Sequence, residues 1–131
     1  MLEVTSRMGL YEGSTLGDLV ATSCLADQSD WLNLRREELY RRTLIAVEHL
    51  RTQASGWEVC EPEAGFLLWC KVARDDLRDD AANWLWESTS IRGLSGARFS
   101  ERDQRWIRLN VALHLPVLEE ALARIAAASR Q

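Results

Sequence analysis

The residues of this sequence best equipped for chemistry are two histidines (His49 and His114), three cysteines (Cys24, Cys60 and Cys70) and a single lysine, Lys71. A zinc site needs Cys, His or carboxylate ligands clustered at short spacings. The two histidines are far apart, and neither has such a neighbour at ligand spacing, so no metal site is expected. The cysteines are odd in number and form no CxxC pair, which argues against a disulfide framework and for a reducing cytoplasm. Ser95-Gly96 does not sit in a G-x-S-x-G elbow, and two distant histidines assemble no catalytic triad. No glycine-rich phosphate loop is present. What remains is arginine, the type of every other basic residue. A guanidinium offers a planar fork of donors that grips a carboxylate bidentately. Arg108 lies in a strand-like run, and its residue type alone fits a strand arginine pairing with a local carboxylate such as Glu101 or Asp103.

Such side chains need a scaffold, and the chain has material for one. Its 131 residues suit one domain, with 47% hydrophobic and 27% charged residues, the balance of a soluble globular protein. A net charge of -4 argues against a nucleic-acid partner, which would need a basic excess. The basic cluster Arg35, Arg36, Arg41 and Arg42 is interrupted by Glu37 and Glu38 and reads as a solvated helix face. The opening MLEVTSRMGL lacks the pattern of a signal peptide, and no apolar run is long enough to span a membrane.

Residues 1–13 read as an opening segment without periodicity, and residues 14–131 as one domain. Ser14, Thr15 and Asp18 suggest a helix start, followed by Leu16, Leu19, Val20, Ser23 and Cys24 on one face. A long second helix follows Asp30, with Trp31, Leu34, Leu39, Leu44, Val47 and Leu50 as its apolar stripe and Gly56 as its end. Trp57 to Val59 and Phe66 to Val72 read as strands joined by a Pro62–Gly65 turn, the second of them central or covered. Asp75 and Asp76 are expected to open a third helix carrying Leu77, Ala81, Trp84 and Leu85. Ile91 to Leu94 is a short strand candidate, Gly96 a bend, and Trp106 to Val111 another strand. Pro116 fits the first turn of a last helix that buries Leu118, Leu122 and Ile125. The fold class is therefore α+β: a small, mostly antiparallel sheet packed with helices and preceded by a long helix. Of the six tryptophans, Trp31, Trp69 and Trp84 are expected in the core, and Trp86 or Trp57 on a surface that another domain or chain covers.

Three segments carry a family resemblance. Glu61-Pro62-Glu63-Ala64-Gly65-Phe66-Leu67-Leu68-Trp69 resembles the PE-G-(F/Y)-L-L-W strand of the small domain of class I/II aminotransferases. Gly96-Ala97-Arg98-Phe99 is similar to their G-x-x-F turn, and Arg108-Leu109-Asn110-Val111-Ala112 resembles their R-L-N-x-A strand. Leu118 to Ile125 looks like the terminal helix. Leu16-Gly17 through Ala21-Thr22, with Trp31-Leu32 before a long helix, resembles the cystathionine β-lyase (C–S lyase) branch. The likeness covers residues 14 to 128. Ser100 stands where a glycine is usual, and Leu113-His114 where the lyase branch has Cys-Pro, so β-elimination and transamination both stay open.

The resemblance implies the C-terminal small domain of a fold-type I pyridoxal-phosphate (PLP) enzyme, with the large PLP-binding domain absent. It implies that Arg108 binds the α-carboxylate of an amino-acid-like substrate, with Gly13, Phe99 and Asn110 lining the cleft. It implies PLP in the complete enzyme but none bound by this chain alone. Lys71 follows the FLLWC strand without the serine-rich segment of a PLP lysine, so no catalytic residue is expected here. A large domain, in the same natural chain or separate, is the implied partner, and a homodimer is compatible. The rival readings are a stand-alone binding or assembly module and a truncated remnant.

Overall fold

A hydroxyl begins the first helix among the described residues, as the sequence suggests. Ser14 Oγ accepts from the Gly17 N–H at 3.3 Å, and α1 runs Thr15–Ala26, an N-capped start. No residue of α1 is buried. The structure, a computed structural model, describes residues 14–26, 30–75, 77, 80–100 and 103–130. It divides into two compact units, 1–32 and 33–131, and the sheet belongs to the second.

Helix α2 spans Trp31–Gln53, and Gly56 turns the chain out of it with φ at +76°, a conformation that glycine adopts without strain. The stripe read from the sequence is buried only toward its end, at Ala46, Val47 and Leu50 with Thr43. Trp31 and Leu34, expected inside, are 66% and 63% exposed. Length explains this: 23 residues of helix run about 35 Å, while the six residues of the longest strand run only about 20 Å. The sheet cannot cover the whole helix. Glu38 pairs with both Arg35 and Arg42, so charges of both signs share this half-buried side of the helix.

The sheet contains β1 (Trp57–Cys60), β2 (Leu67–Val72), β3 (Leu94–Ser95) and β4 (Trp106–Asn110) in the order β1-β2-β4-β3. Every pairing is antiparallel. The β1–β2 connection bends at Gly65, with φ at +84°. Alternation then divides the side chains between two faces. Leu68, Cys70, Val72, Ile107 and Leu109 point to the helices and are buried. Leu67, Trp69, Lys71, Trp106, Arg108 and Asn110 take the other face and are half-buried or exposed. β2 is central as expected, but only one of its faces is buried.

Helix α3 (Ala81–Thr89) starts later than the sequence suggested. Asp80 is its cap, accepting from the Ala82 N–H at 2.8 Å; of the pair expected to open it, Asp75 lies before the helix and Asp76 outside the described residues. The neighbouring Ala81 N–H donates to the Gln104 carbonyl at 2.8 Å, which ties the start of the helix to the segment before β4. β3 is likewise displaced from Ile91–Leu94, because the Ile91 N–H is taken by Thr89 Oγ1 at 3.1 Å. Helix α4 (Leu115–Ala128) has Pro116 in its first turn, and Leu118, Leu122 and Ile125 are each 2% exposed. Trp57 is buried, its indole N–H donating to Ser129 Oγ at 3.0 Å, whereas Trp86 is 44% exposed. The exposed member of the expected pair is therefore Trp86.

Cys70 lies fully buried on the helix face, while Cys24 and Cys60 are exposed. Burial, with a smaller contribution from Cys60, pushes the Cys70 thiol up to about 12 from an ordinary 9.0. The unfolded chain therefore releases this proton first on going alkaline, so stability is intact below pH 9 and falls between 9 and about 12. The expected result is a urea midpoint that drops over that window, less steeply in a Cys70→Ala variant. Thiol titration of the native chain should label two cysteines quickly and the third only on unfolding. Equal rates for all three would contradict this burial.

Candidate functional site

Arg108 sits at the middle of β4, which is paired on both sides: Trp69 of β2 lies opposite it on one flank and Leu94 of β3 on the other. Two hydrogen-bonded neighbours fix its backbone more firmly than a loop would. Strand alternation, with Ile107 and Leu109 in the core, forces Arg108 to the face away from the helices. There its guanidinium carbon lies 5.0 Å from the centroid of the Phe99 ring, a cation–π contact. Phe99 meets Trp69 edge-on at 5.4 Å, and Trp69 stacks on Trp106 at 5.8 Å with planes 17° apart. The arginine therefore stands at one end of an aromatic row. Asp103, a local partner suggested by the sequence, makes no ion pair with it, and Glu101 lies outside the described residues. Among the described residues Arg108 has no carboxylate partner.

The turn carrying Phe99 is held from both sides. Ser95 Oγ accepts from the Ala97 N–H at 3.0 Å and caps the 3-10 turn Gly96–Arg98. A Cβ on Gly96 would lie 2.3 Å from the Asp103 carbonyl oxygen, so glycine is the residue that fits. Asn110 is exposed at the end of β4, and its Oδ1 accepts from the Ala112 N–H at 2.9 Å, shaping the loop that follows. Its amide nitrogen makes no hydrogen bond among the described residues. Gly13 lies outside them. Arg108 and Phe99 are thus brought together, and Asn110 lies on the same face, across from Leu67.

Trp69 and Trp106 were not singled out for this face by the sequence, which placed Trp69 in the core. Register alone puts them beside Arg108: Trp69 opposes Arg108, and Trp106 opposes Lys71. The alternation of Trp106-Ile107-Arg108-Leu109 was the available signal, since it sets Trp106 and Arg108 on one side. Lys71 shares this face, but its ammonium donates to both carboxylate oxygens of Glu58, at 2.9 and 3.2 Å. A Schiff-base lysine needs a free amine beside a phosphate cradle. Among the described residues no such cradle stands near Lys71, and the described residues do not fit PLP. Nor do they contain any cluster able to hold a metal ion, or a helix long and apolar enough to cross a membrane.

The family model for aminotransferase class I and II matches residues 1–125. The chain belongs to the aminotransferase class I and II family. No curated protein matches it, but solved structures do. A chain from Corynebacterium diphtheriae, assigned as a PLP-dependent beta-cystathionase, superposes with a TM-score of 0.82 at 25% identity, covering 93% of this chain and 33% of that one. Alanine aminotransferase from Pyrococcus furiosus gives 0.79 at 19%, covering 95% and 32%. Cystalysin from Treponema denticola, which contains pyridoxal 5'-phosphate, gives 0.75 at 20%, covering 89% and 30%. This aminotransferase-family chain therefore spans about a third of the length of these structures. Its α+β fold is that of a portion of PLP-dependent enzymes.

Proposed function

We propose that this chain is the substrate-carboxylate-binding small domain of a PLP-dependent aminotransferase or C–S β-lyase. The observation that carries the reading is Arg108: fixed at the centre of the sheet, half-buried, set against Phe99 and without a carboxylate partner among the described residues. Its fork would grip the α-carboxylate of an amino-acid-like substrate and so orient the bonds at Cα. Phe99 and Asn110, with Gly13, would line the cleft. PLP, when bound, supplies the electron sink for cleavage at Cα. Its anchoring lysine and phosphate site belong to a large domain, in the same natural chain or a separate one. Without that domain the chain would be inactive, and the complete enzyme could be a homodimer. Three free cysteines suit a reducing cytoplasm.

A stand-alone binding module is the second reading, favoured by a core that closes within residues 33–131 around Leu50, Leu68, Leu85, Ile107 and Ile125. Two measurements on the chain test these readings. L-alanine, observed through the backbone amide resonances of Phe99 and Leu109 beside Arg108, should bind saturably at about millimolar concentration, as expected for one charged pair near a surface. Arg108→Gln should abolish that binding without moving the melting temperature. An unchanged titration would refute the carboxylate role. Incubation with PLP followed by borohydride should leave the intact mass unchanged. A stoichiometric adduct on Lys71 would instead make this a self-contained PLP protein.

A further inference from the structure

A second set of arginines faces a different part of the surface. Beside α3, at the β3 edge, a groove of about 380 Å³ is lined by Asn83, Trp86, Arg92, Ser95 and Arg98, among others, a volume in the range of small-ligand sites. Arg108 does not line it. We propose that this groove binds a small phosphate-bearing molecule, its phosphate held between the guanidinium groups of Arg92 and Arg98.

Charge is the first argument. Some arginines are neutralised locally: Arg42 by Glu38, Arg51 by Glu61 and Arg124 by Glu120. Arg92 and Arg98 have no carboxylate partner among the described residues. Asp80 borders the groove through Ser95, but its oxygens are taken, one by the Ala82 N–H and the other by the Ser95 hydroxyl. Two positive charges therefore share one concavity with no direct ion pair among the described residues.

Preorganisation is the second argument. The guanidinium carbon of Arg92 lies 4.5 Å from the centroid of the Trp86 ring, so the indole supports the fork while its N–H groups stay free for oxygen. The backbone beneath both arginines is tightly seated. A Cβ on Gly93, next to Arg92, would lie 2.2 Å from Ile107 Cγ2, and one on Gly96, two residues before Arg98, would meet the Asp103 carbonyl oxygen. Little reorganisation is then needed on binding. The Asn83 side-chain amide, without a hydrogen bond among the described residues, adds a neutral donor at the rim.

Oxygen geometry selects the ligand class. One guanidinium fork occupies both oxygens of a carboxylate, whereas a phosphate has further oxygens for a second fork. A chain of net charge -4 has no general attraction for polyanions, so affinity has to come from this local pair.

The test is a titration of the chain with inorganic pyrophosphate at constant ionic strength, read by calorimetry and tryptophan emission, with succinate as the carboxylate comparison. Expected are one site saturating below about 1 mM and at least tenfold weaker binding of succinate. Arg92→Gln and Arg98→Gln should each weaken pyrophosphate binding by about tenfold or more. Arg51→Gln should leave it unchanged. Trp86→Leu should remove most of the emission change and weaken binding, because Arg92 loses its support. The proposal is overturned by absence of saturation at about 10 mM, by equal binding of succinate, or by saturation that survives Arg98→Gln with the fold intact by circular dichroism. The two arginines and Trp86 are all on the surface, so their replacement leaves the core untouched.

Discussion

Replacing Gly93 by alanine should destabilise the protein by about 2–3 kcal/mol, and removing the side chain it strikes should recover part of that loss. The added Cβ would fall 2.2 Å from Ile107 Cγ2, and also close to Leu109 Cδ2 at 3.2 Å and Leu85 Cδ2 at 3.5 Å. The obstacle is thus chiefly one methyl of a fully buried isoleucine. Ile107→Ala alone should cost about 2–5 kcal/mol, through lost burial and the cavity left behind. Combined, the two changes should cost less than their sum by about 1 kcal/mol or more, since the new methyl enters the space Ile107 vacates. Urea denaturation of the four proteins in the cycle measures this coupling. Strict additivity would mean that residue 93 and Ile107 are not in contact. The result also bears on Arg108, because Ile107 precedes it in β4 and holds that strand against the helices.

Gly96→Ala should behave differently, with a loss of about 3 kcal/mol or more and no single-residue rescue. Here the Cβ would meet the Asp103 carbonyl oxygen at 2.3 Å, the Trp106 Cβ at 2.7 Å and the Trp106 carbonyl oxygen at 2.9 Å. Two of the three obstacles are backbone atoms, and the third is a Cβ present in every residue except glycine. The chain itself would have to move, opening the 3-10 turn and the start of β4. Against a total stability of about 5–15 kcal/mol for an ordinary domain, this is a large fraction. The melting temperature should fall by more than for Gly65→Ala, where a Cβ meets nothing within 4 Å and only the positive φ opposes it. Hydrogen exchange should quicken first at Ser95 and Trp106. A Gly96→Ala protein that melts with the parent would show that this approach is not so close.

Both glycines flank residues with proposed ligand roles, which connects packing to function. Phe99 follows the turn that Gly96 permits, and Arg92 precedes the position that Gly93 keeps clear. The arginines can be held in place because the backbone beside them has almost no room to shift.

Local chemistry explains what could be read in advance. Ser14 before a helical stretch, Gly56 after the second helix, Pro116 in the first turn of the last and the Pro62–Gly65 bend act through backbone preferences within a few residues, and each appears as expected. The alternation around Arg108 and the run from Phe66 to Val72 likewise identified β4 and β2, and the P-E-x-G-F-L-L-W, G-x-x-F and R-L-N-x-A patterns pointed to the family. Tertiary structure decided the rest. Asp80, rather than Asp75, caps α3, and Ser95, distant in sequence, also binds its carboxylate. Trp31 and Leu34 stay exposed because the strands are shorter than the helix crossing them. Trp69 stands beside Arg108 through the register of β2 on β4, and Trp86 meets Arg92 where α3 passes the loop before β3. Periodicity along one segment determines which side chains share a face. Which faces and which distant residues then meet depends on strand register and element length across the whole domain, and those are settled only when the sheet and helices pack together.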